Sequence, residues 1–243
     1  MLVILPPSET KLDGGGGPPL RLDALAHPEL TPVRAQLVDE LVKLAGDAEA
    51  ARAALGLSPH QDAEIERNAA LWTSPTTPAL RRYTGVLYDA LDVGSLRGAA
   101  VARAQRRLAV GSALFGLLRA GDPVPAYRLS AGSALPDRGT LAATWRPLLE
   151  PVLVALAERE LVVDLRSGPY AALARIPGAV TVTVLTAQRT VVSHFNKAHK
   201  GRLARLLAGT RAEPSDAAGV AAIARRAGMH VERRGTALEI ILP

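Results

Sequence analysis

The hydrophobic positions along the chain form short apolar runs that alternate with longer amphipathic stretches. Apolar runs that end at Pro, Gly or charged residues predict buried strands, and apolar residues three and four apart predict helices. The predicted strands are residues 2–5, 108–110, 126–129, 161–165, 180–185, 189–193, 231–234 and 237–242. The predicted helices are residues 31–45, 47–55, 59–72, 95–107, 113–118, 140–158, 196–208 and 217–227, with a further helix opening at Ser167. Pro147 and Pro151 predict that the 140–158 helix is interrupted or kinked.

This order of elements predicts an α/β (mixed α+β) fold. Strands alternate with helices, and the paired strands near the end of the chain predict a mixed central sheet rather than a wholly parallel one. No linker-like segment divides the 243 residues. We therefore expect a single compact domain over residues 1–243, in which helices surround the mixed sheet.

The composition excludes several classes of chemistry. The chain has no cysteine, so disulfides, cysteine-ligated zinc and iron–sulfur clusters are ruled out. His194 and His199 have the wrong spacing for a metal pair on one helix face. We expect neither a metal nor a cofactor.

The start of the chain bears on its location. The opening apolar run meets Pro6-Pro7 at once and is too short for a signal peptide, and no run reaches membrane-spanning length. We therefore expect a cytoplasmic protein without membrane contact.

The cations are nearly all arginines. The net charge is +6, with 25 arginines and 4 lysines, and this Arg-rich and Ala-rich composition is as typical of a GC-rich coding sequence as of a nucleic-acid-binding protein. Lys43 lies on an ordinary amphipathic helix. Lys11, Lys197 and Lys200 lie in segments that are candidates for function on other grounds.

Three predicted strands end in polar loops. The first leads to Ser8, Glu9 and Lys11, the second to Ser112, and the third to Ser167. Ligands of open α/β sheets bind beyond the carboxyl ends of strands, and helix N-termini there favour anions. The alternative is that Ser and Gly serve only as turn and capping residues. If the loops converge, they predict an anion site.

Two further segments carry candidate binding residues. Residues 193–211 hold five Lys or Arg and no acid, and Lys197, Lys200 and Arg202 lie near the start of the predicted helix. Arg119 is followed by a Pro-rich turn and then by Tyr127 and Arg128, a pair that can contact phosphate or stack on a base. A solvated basic face and ordinary Tyr–Arg packing are the alternatives.

Several motifs, in order, resemble those of the YaaA peroxide stress family. They are the opening strand with its Pro-Pro-Ser-Glu loop (residues 3–11), Tyr83-Thr84-Gly85, the Leu-Phe-Gly-Leu-Leu-Arg segment (residues 114–119) with the Tyr-Arg-Leu that follows (residues 127–129), and Lys-Ala-His-Lys-Gly (residues 197–201). The resemblance covers residues 2 to 207 and leaves the last thirty-odd residues unmatched.

The resemblance implies a cytosolic protein of the hydroperoxide stress response that limits iron-driven damage. It also implies a mixed α/β fold with a basic cleft, and a helix-hairpin-helix element linked to duplex DNA binding, which falls near residues 55–58. Residues 36–66, however, hold seven acids and two bases, a local charge of −5. DNA affinity comes mainly from Lys and Arg, so residues 193–211 and 97–128 are better candidates for a DNA surface.

Two functions follow as hypotheses. The first is a DNA-associated stress protein that binds the duplex without reading its sequence. The second is an enzyme that acts on a nucleotide or another anionic small molecule, with Glu9 and Lys197 as catalytic residues. The expected ligand- or phosphate-binding residues are Ser8, Lys11, Ser112, Arg119, Tyr127, Arg128, Ser167, Lys200 and Arg202.

Overall fold

Strand β1 (Leu2–Leu5) lies at the centre of the molecule, and its four side chains are fully buried. A computed structural model describes residues 1–191 and 194–242. The apolar run of β1 carries no polar side chain, as is typical of a strand covered on both faces of a sheet.

The main sheet has seven strands in the order β4-β3-β1-β6-β7-β9-β8. The inner five strands are parallel, and β4 and β8 are antiparallel to their neighbours at the two edges. A second sheet pairs β2 with β5. The remaining bounds are β2 (Thr77–Pro78), β3 (Leu108–Ser112), β4 (Gly116–Arg119), β5 (Pro123–Val124), β6 (Val162–Asp164), β7 (Val180–Leu185), β8 (Val231–Arg234) and β9 (Ala237–Ile241). The predicted mixed sheet is confirmed.

Helices surround the sheet, and the buried hydrophobic side chains form one continuous cluster. Their bounds are α1 (Thr31–Leu44), α2 (Ala48–Leu55), α3 (Asp62–Ala69), α4 (Ala79–Arg82), α5 (Val86–Leu91), α6 (Ala99–Arg107), α7 (Leu141–Arg159), α8 (Gly168–Ala171), α9 (His194–Gly209) and α10 (Ala217–Arg226). Among the described helices, none combines the length and the apolar character needed to cross a bilayer.

The predicted helix at residues 113–118 is wrong, because β3 turns back into β4 there. Ser112 Oγ accepts hydrogen bonds from the backbone N–H groups of Leu114 and Phe115, which closes the turn. Gly116 has φ 72°, and an added Cβ would lie 2.8 Å from the Trp145 ring. A tight turn under a buried tryptophan therefore replaces the helix.

The predicted strand at residues 126–129 is also wrong, and the short strand β5 ends just before it. The Asn68 side chain takes the place of a partner strand. Its amide nitrogen donates to the Arg128 carbonyl at 2.8 Å, and its amide oxygen accepts from the Arg128 N–H at 2.8 Å. The Asn68 side chain thus makes the two backbone hydrogen bonds of Arg128 that a neighbouring strand would make in a sheet.

Two further predictions differ at element boundaries. Helix α7 runs without interruption through Pro147 and Pro151, anchored by buried Trp145, Leu149 and Leu153. Of the strand predicted at residues 189–193, Val191 forms one isolated antiparallel bridge with Leu185. Residues 192 and 193 lie outside the described residues.

Candidate active site

The three polar loops meet at one edge of the sheet, here called the carboxyl edge. Strands β3, β1 and β6 are adjacent and parallel, with Leu5 in register with Val110. The Leu165 N–H donates to the Ile4 carbonyl at 2.9 Å just beyond β6. The polar residues that follow these strands are therefore neighbours in space.

A backbone bridge fixes the first loop. Lys11 and Tyr83 form an isolated antiparallel bridge, and the Leu12 N–H donates to the Arg82 carbonyl at 2.9 Å. Ser8 Oγ accepts from the Thr84 N–H at 3.2 Å. These contacts hold the loop against the segment that precedes α5 and fix the position of Lys11.

The Lys11 ammonium group lies among backbone carbonyls and aromatic rings. Its Nζ donates to the carbonyls of Ser8 at 3.0 Å and Glu9 at 3.2 Å. The same nitrogen lies 4.3 Å from the Tyr127 ring centroid and 5.6 Å from that of Tyr83. Among the described residues, no carboxylate forms an ion pair with Lys11 within 4.0 Å.

Burial lowers the pKa of Lys11 to about 7. Glu64 and Glu9 act in the opposite direction, and Arg128 and Arg67 reinforce the lowering. The two acids are already paired, because Glu64 contacts Arg67 at 2.5 Å and Glu9 contacts Arg128 at 3.2 Å. Desolvation therefore dominates, and the amine is populated in both its neutral and charged forms near neutral pH.

All four tyrosines of the chain lie around this group. The Tyr83 and Tyr127 hydroxyls are 2.8 Å apart, and Tyr127 is 2.7 Å from Ser112 Oγ. Tyr88 stacks on Tyr83 and donates to the Pro6 carbonyl at 2.8 Å. Burial raises the pKa of Tyr170 to about 12 and raises the pKa values of Tyr83, Tyr88 and Tyr127. The cage is therefore neutral at physiological pH.

Arg166 and Lys200 complete the carboxyl edge beside β6. The Arg166 guanidinium forms two hydrogen bonds to the Asp164 carboxylate, both at 2.9 Å, and packs so closely on Gly111 that an added Cβ would lie 2.9 Å from it. Lys200 Nζ donates to the Leu165 carbonyl at 3.2 Å. Burial lowers the pKa of Lys200 against the opposing effect of Asp164. These contacts tie β3, β6 and α9 together.

The structure brings most of the expected site residues to this edge but not all of them. Those at the edge are Ser8, Glu9, Lys11, Ser112, Tyr127, Arg128, Ser167 and Lys200. Arg119 lies at the opposite end of the sheet, because β4 runs antiparallel to β3 and Arg119 pairs with Ala109. Lys197 and Arg202 are exposed on α9.

Tyr83, Tyr88, Tyr170 and Arg166 belong to the site but were not predicted from the sequence. The only sequence signal for the tyrosines was their scarcity, because the chain has just four and all four lie in this part of the fold. Arg166 gave no such signal, because it is one of 25 arginines.

Two surface cavities lie away from Lys11. One of about 410 Å³ is lined by Leu96, Arg205, Leu206, Gly209, Thr210, Ile223, Arg226 and Ala227. The other, of about 320 Å³, is lined by Met1, Arg106, Arg107, Arg119, Glu160 and Glu213. Several of these arginines have structural partners, since Arg205 donates to the carbonyls of Leu91 and Asp92 and Arg107 contacts Glu213.

Similarity to known proteins extends over nearly the whole of this fold. The family model described as "Peroxide stress protein YaaA" matches residues 1–229. The chain belongs to the YaaA peroxide stress protein family. The resemblance predicted from the sequence motifs is thereby confirmed. The match to the YaaA family includes the entire carboxyl edge and ends just before the β8–β9 hairpin.

Three relatives of this chain align with it along most of their length. A UPF0246 protein of Corynebacterium efficiens is 48% identical over 240 residues, which cover 96% of this chain and 95% of that protein. A UPF0246 protein of Streptomyces coelicolor is 47% identical over 244 residues, which cover 98% of this chain and 94% of that protein. An uncharacterized protein of Campylobacter jejuni is 25% identical over 204 residues, which cover 84% of this chain and 82% of that protein.

Proposed function

We propose that this protein acts in the hydroperoxide stress response as a cytoplasmic enzyme whose general acid/base is Lys11. Its substrate is an anionic small molecule bound at the carboxyl edge. The observation that supports this most directly is the Lys11 ammonium group, buried against Tyr127 with two backbone carbonyls as its hydrogen-bond acceptors. A group whose pKa lies near 7 both donates and accepts protons efficiently at neutral pH.

Arg128 is the residue proposed to bind the substrate anion. Its side chain is only 12% exposed, and one guanidinium nitrogen contacts the Glu9 carboxylate at 3.2 Å. Its Nε is buried without a hydrogen-bond partner among the described residues. The Glu9 side chain is 71% exposed, so it can swing into solvent and leave Arg128 to a substrate. A guanidinium binds carboxylate or phosphate in a fork.

In this proposal Lys11 takes the proton-transfer role that was predicted for Lys197 from the sequence. Lys197 is exposed on α9, whereas the Lys11 amine lies against the Tyr127 ring. Glu9 keeps a part in the proposed mechanism, because its carboxylate contacts the guanidinium of Arg128 that is proposed to bind the substrate anion.

Rescue of hydroperoxide sensitivity in cells that lack the native protein tests the proposal. We expect Lys11→Arg and Lys11→Met to abolish rescue, because guanidinium stays charged and the thioether carries no proton. Lys197→Arg, which keeps the charge at an exposed position, should rescue fully. Thermal melting of each purified variant controls for folding. Full rescue by Lys11→Arg, together with failure of Lys197→Arg, would return the catalytic role to Lys197.

Duplex DNA binding is the second candidate function, and the packing of two basic segments favours it. Residues 97–120 and 193–211 each hold five Lys or Arg and no acid. Their helices α6 and α9 pack together, and the Arg103 guanidinium donates to the Gly209 carbonyl at 2.7 Å. On this proposal the protein limits iron-driven damage by covering DNA with the α6–α9 face.

The segment expected to form a helix-hairpin-helix element carries the wrong charge for binding DNA. Helices α2 and α3 pack together, and the chain turns between them at Gly56, where φ is 64°. The ion pair between Arg52 and Asp62 links the two helices. It therefore engages one of the two basic side chains of residues 36–66. The net charge of −5 over residues 36–66 opposes contact with phosphates. We therefore propose the α6–α9 face rather than the hairpin as the DNA surface.

A further inference from the structure

We infer that Lys11 is a nucleophile that forms an imine with a small carbonyl compound bearing a carboxylate. This inference rests on the proposed function of the Lys11 site and names its substrate class. Three observations carry it: the surroundings of the amine, the position of Glu9 between Lys11 and Arg128, and the neutral aromatic cage.

The amine is held ready for attack rather than locked in an ion pair. Nζ makes hydrogen bonds of 3.0 and 3.2 Å to two backbone carbonyls, neither of which carries a formal charge. The Lys11 side chain as a whole is partly exposed, and its neighbours Glu9 and Thr10 are exposed, so the amine lies close to the surface. The charged groups around it are Glu64, Arg128, Glu9 and Arg67, and burial lowers the pKa of Lys11 to about 7. A lysine that loses its proton near neutral pH is a nucleophile.

Glu9 marks where the substrate carboxylate binds. Its backbone carbonyl accepts a hydrogen bond from Lys11 Nζ, and its own carboxylate contacts Arg128 at 3.2 Å. One residue thus connects the amine to the guanidinium. A substrate carboxylate that replaces the Glu9 carboxylate on Arg128 would hold a small substrate beside the Lys11 amine. Arg128 therefore favours carbonyl compounds that carry a carboxylate.

The aromatic cage favours the imine once it has formed. Tyr83 and Tyr127 face the amine, and their hydroxyls bond to each other and to Ser112. Burial raises the pKa values of both phenols, so they stay neutral and place no negative charge beside Lys11 that would favour its ammonium form. An apolar wall also keeps water from the carbon–nitrogen double bond.

The chemical step balances without a further reactant. The nitrogen lone pair of Lys11 attacks the carbonyl carbon, and the carbonyl oxygen takes up a proton to give a carbinolamine. The two protons of the amine leave with that oxygen as water when the carbon–nitrogen double bond forms. No electron donor or acceptor takes part, and hydrolysis reverses the reaction.

Reductive trapping of the whole protein tests the inference. Glyoxylate and cyanoborohydride at pH 7 convert a lysine imine into a carboxymethyl-lysine, which peptide mapping by mass spectrometry locates. We expect Lys11 to be labelled at least about tenfold faster than Lys43, because burial lowers the pKa of Lys11 and leaves a larger share of its amine neutral at pH 7. Lys43 is exposed on α1 and is an internal control. The Lys11→Arg variant should show no preferred site.

A second aldehyde separates the amine from the carboxylate site. Arg128→Met should slow glyoxylate labelling of Lys11 by a larger factor than labelling by propionaldehyde, which has no carboxylate and reports only the loss of the Arg128 charge from beside the amine. Glu9→Ala should speed glyoxylate labelling, since it removes the competing carboxylate. Equal glyoxylate labelling in wild type and Arg128→Met would overturn the assigned substrate class.

The result that overturns the imine is distinct from one that overturns the proposed function. Labelling of Lys11 no faster than that of Lys43 with both aldehydes would exclude a nucleophilic Lys11. If Lys11→Arg still abolished rescue in that case, the acid/base role would stand. If Lys11→Arg rescued fully, the proposed function would fail too.

Discussion

Lys11 differs from the buried arginines of this protein in the partners that surround its charge. Arg34, Arg82, Arg107 and Arg166 are all buried, and each donates to at least two backbone carbonyls. A guanidinium has five donors and stays charged, so several carbonyls stabilise it. The Lys11 ammonium has two carbonyls and the face of a ring. Its charge is therefore the easier one to remove.

This difference predicts how stability depends on pH. The folded-state pKa of Lys11 lies near 7 and the unfolded value near 10, so between them the unfolded chain binds more protons and the wild type gains stability as pH rises. The slope is at most about 1.4 kcal/mol per pH unit. We expect Lys11→Met to be more stable than wild type at pH 6, with the difference shrinking between pH 7 and 9.

Urea unfolding at four pH values from 6 to 9 measures this difference. Lys43→Met, on the exposed face of α1, is the matched control and should differ from wild type by a constant amount. A flat difference for Lys11→Met as well would mean that Lys11 keeps its proton in the folded protein.

At the scale of single residues, the sequence marks Lys11 as a candidate site residue more readily than it marks the buried arginines. In a chain with four lysines, the position of Lys11 in a strand-end loop marked it, and the structure places it at the carboxyl edge. The buried arginines were hidden among 25, because their partners are distant in sequence. Arg34, for example, donates to the carbonyls of Phe115 and Leu117.

Helices α5 and α9 approach each other unusually closely, and Gly201 makes this possible. A Cβ added at Gly201 would lie 2.2 Å from the Leu87 carbonyl oxygen and 2.9 Å from Ala90 Cβ. The contact lies between Tyr88 on α5 and Lys200 on α9, two side chains of the carboxyl edge. Helix packing thus sets where these side chains reach the site.

Gly201→Ala should destabilise the protein by about 1–3 kcal/mol. The added methyl group would clash with the Leu87 carbonyl oxygen, which is part of the backbone and cannot rotate aside. Gly209→Ala is the matched control in the same helix, since a Cβ there meets nothing within 4 Å. The control should be neutral or slightly stabilising, as Ala favours helix over Gly. Urea denaturation of both variants measures the effect, and equal midpoints would show that α9 shifts away from α5 without destabilising the fold.

At the scale of elements, periodicity predicts most helices and the central strands to within a few residues. It fails at residues 113–118 and 126–129, where the local pattern is apolar but the partner is remote. Trp145 and Arg34 hold the β3–β4 turn, and the Asn68 side chain forms hydrogen bonds with the backbone of Arg128. These interactions join residues that are far apart in sequence, so no local pattern reveals them.

Across the whole molecule the charges are segregated. The acids of residues 36–66 lie on α1, α2, α3 and the turns that join them, and the acid-free basic segments lie on α6 and α9. A concentration of basic residues attracts a polyanion. On the second proposal, the α6–α9 face is therefore the one that binds a DNA duplex.

We predict micromolar or weaker duplex affinity at physiological salt, falling steeply as salt rises. Arg106→Glu with Arg202→Glu should lower the affinity at least about tenfold and flatten the salt dependence, because the slope falls by about 0.9 for each phosphate that is no longer neutralised. Fluorescence anisotropy with a labelled duplex measures both quantities.

The same charge change elsewhere is the control for this prediction. Arg175→Glu with Arg233→Glu alters two exposed arginines outside the basic segments and should have a smaller effect. His60→Glu changes the hairpin between α2 and α3. If the hairpin variant abolishes binding and the α6–α9 variant does not, the acidic hairpin is the DNA surface after all.

The bridge between Lys11 and Tyr83 also closes a long loop. Residues 12–82 leave the sheet after the first strand, build the helices α1 to α4, and return to the point from which they departed. Closing a loop of this length costs chain entropy. The surroundings of the Lys11 amine are complete only when residues 12–82 have folded back onto the end of the first strand. A nascent or partly unfolded molecule carries a solvated lysine, and on our proposal only the finished fold carries a reactive one.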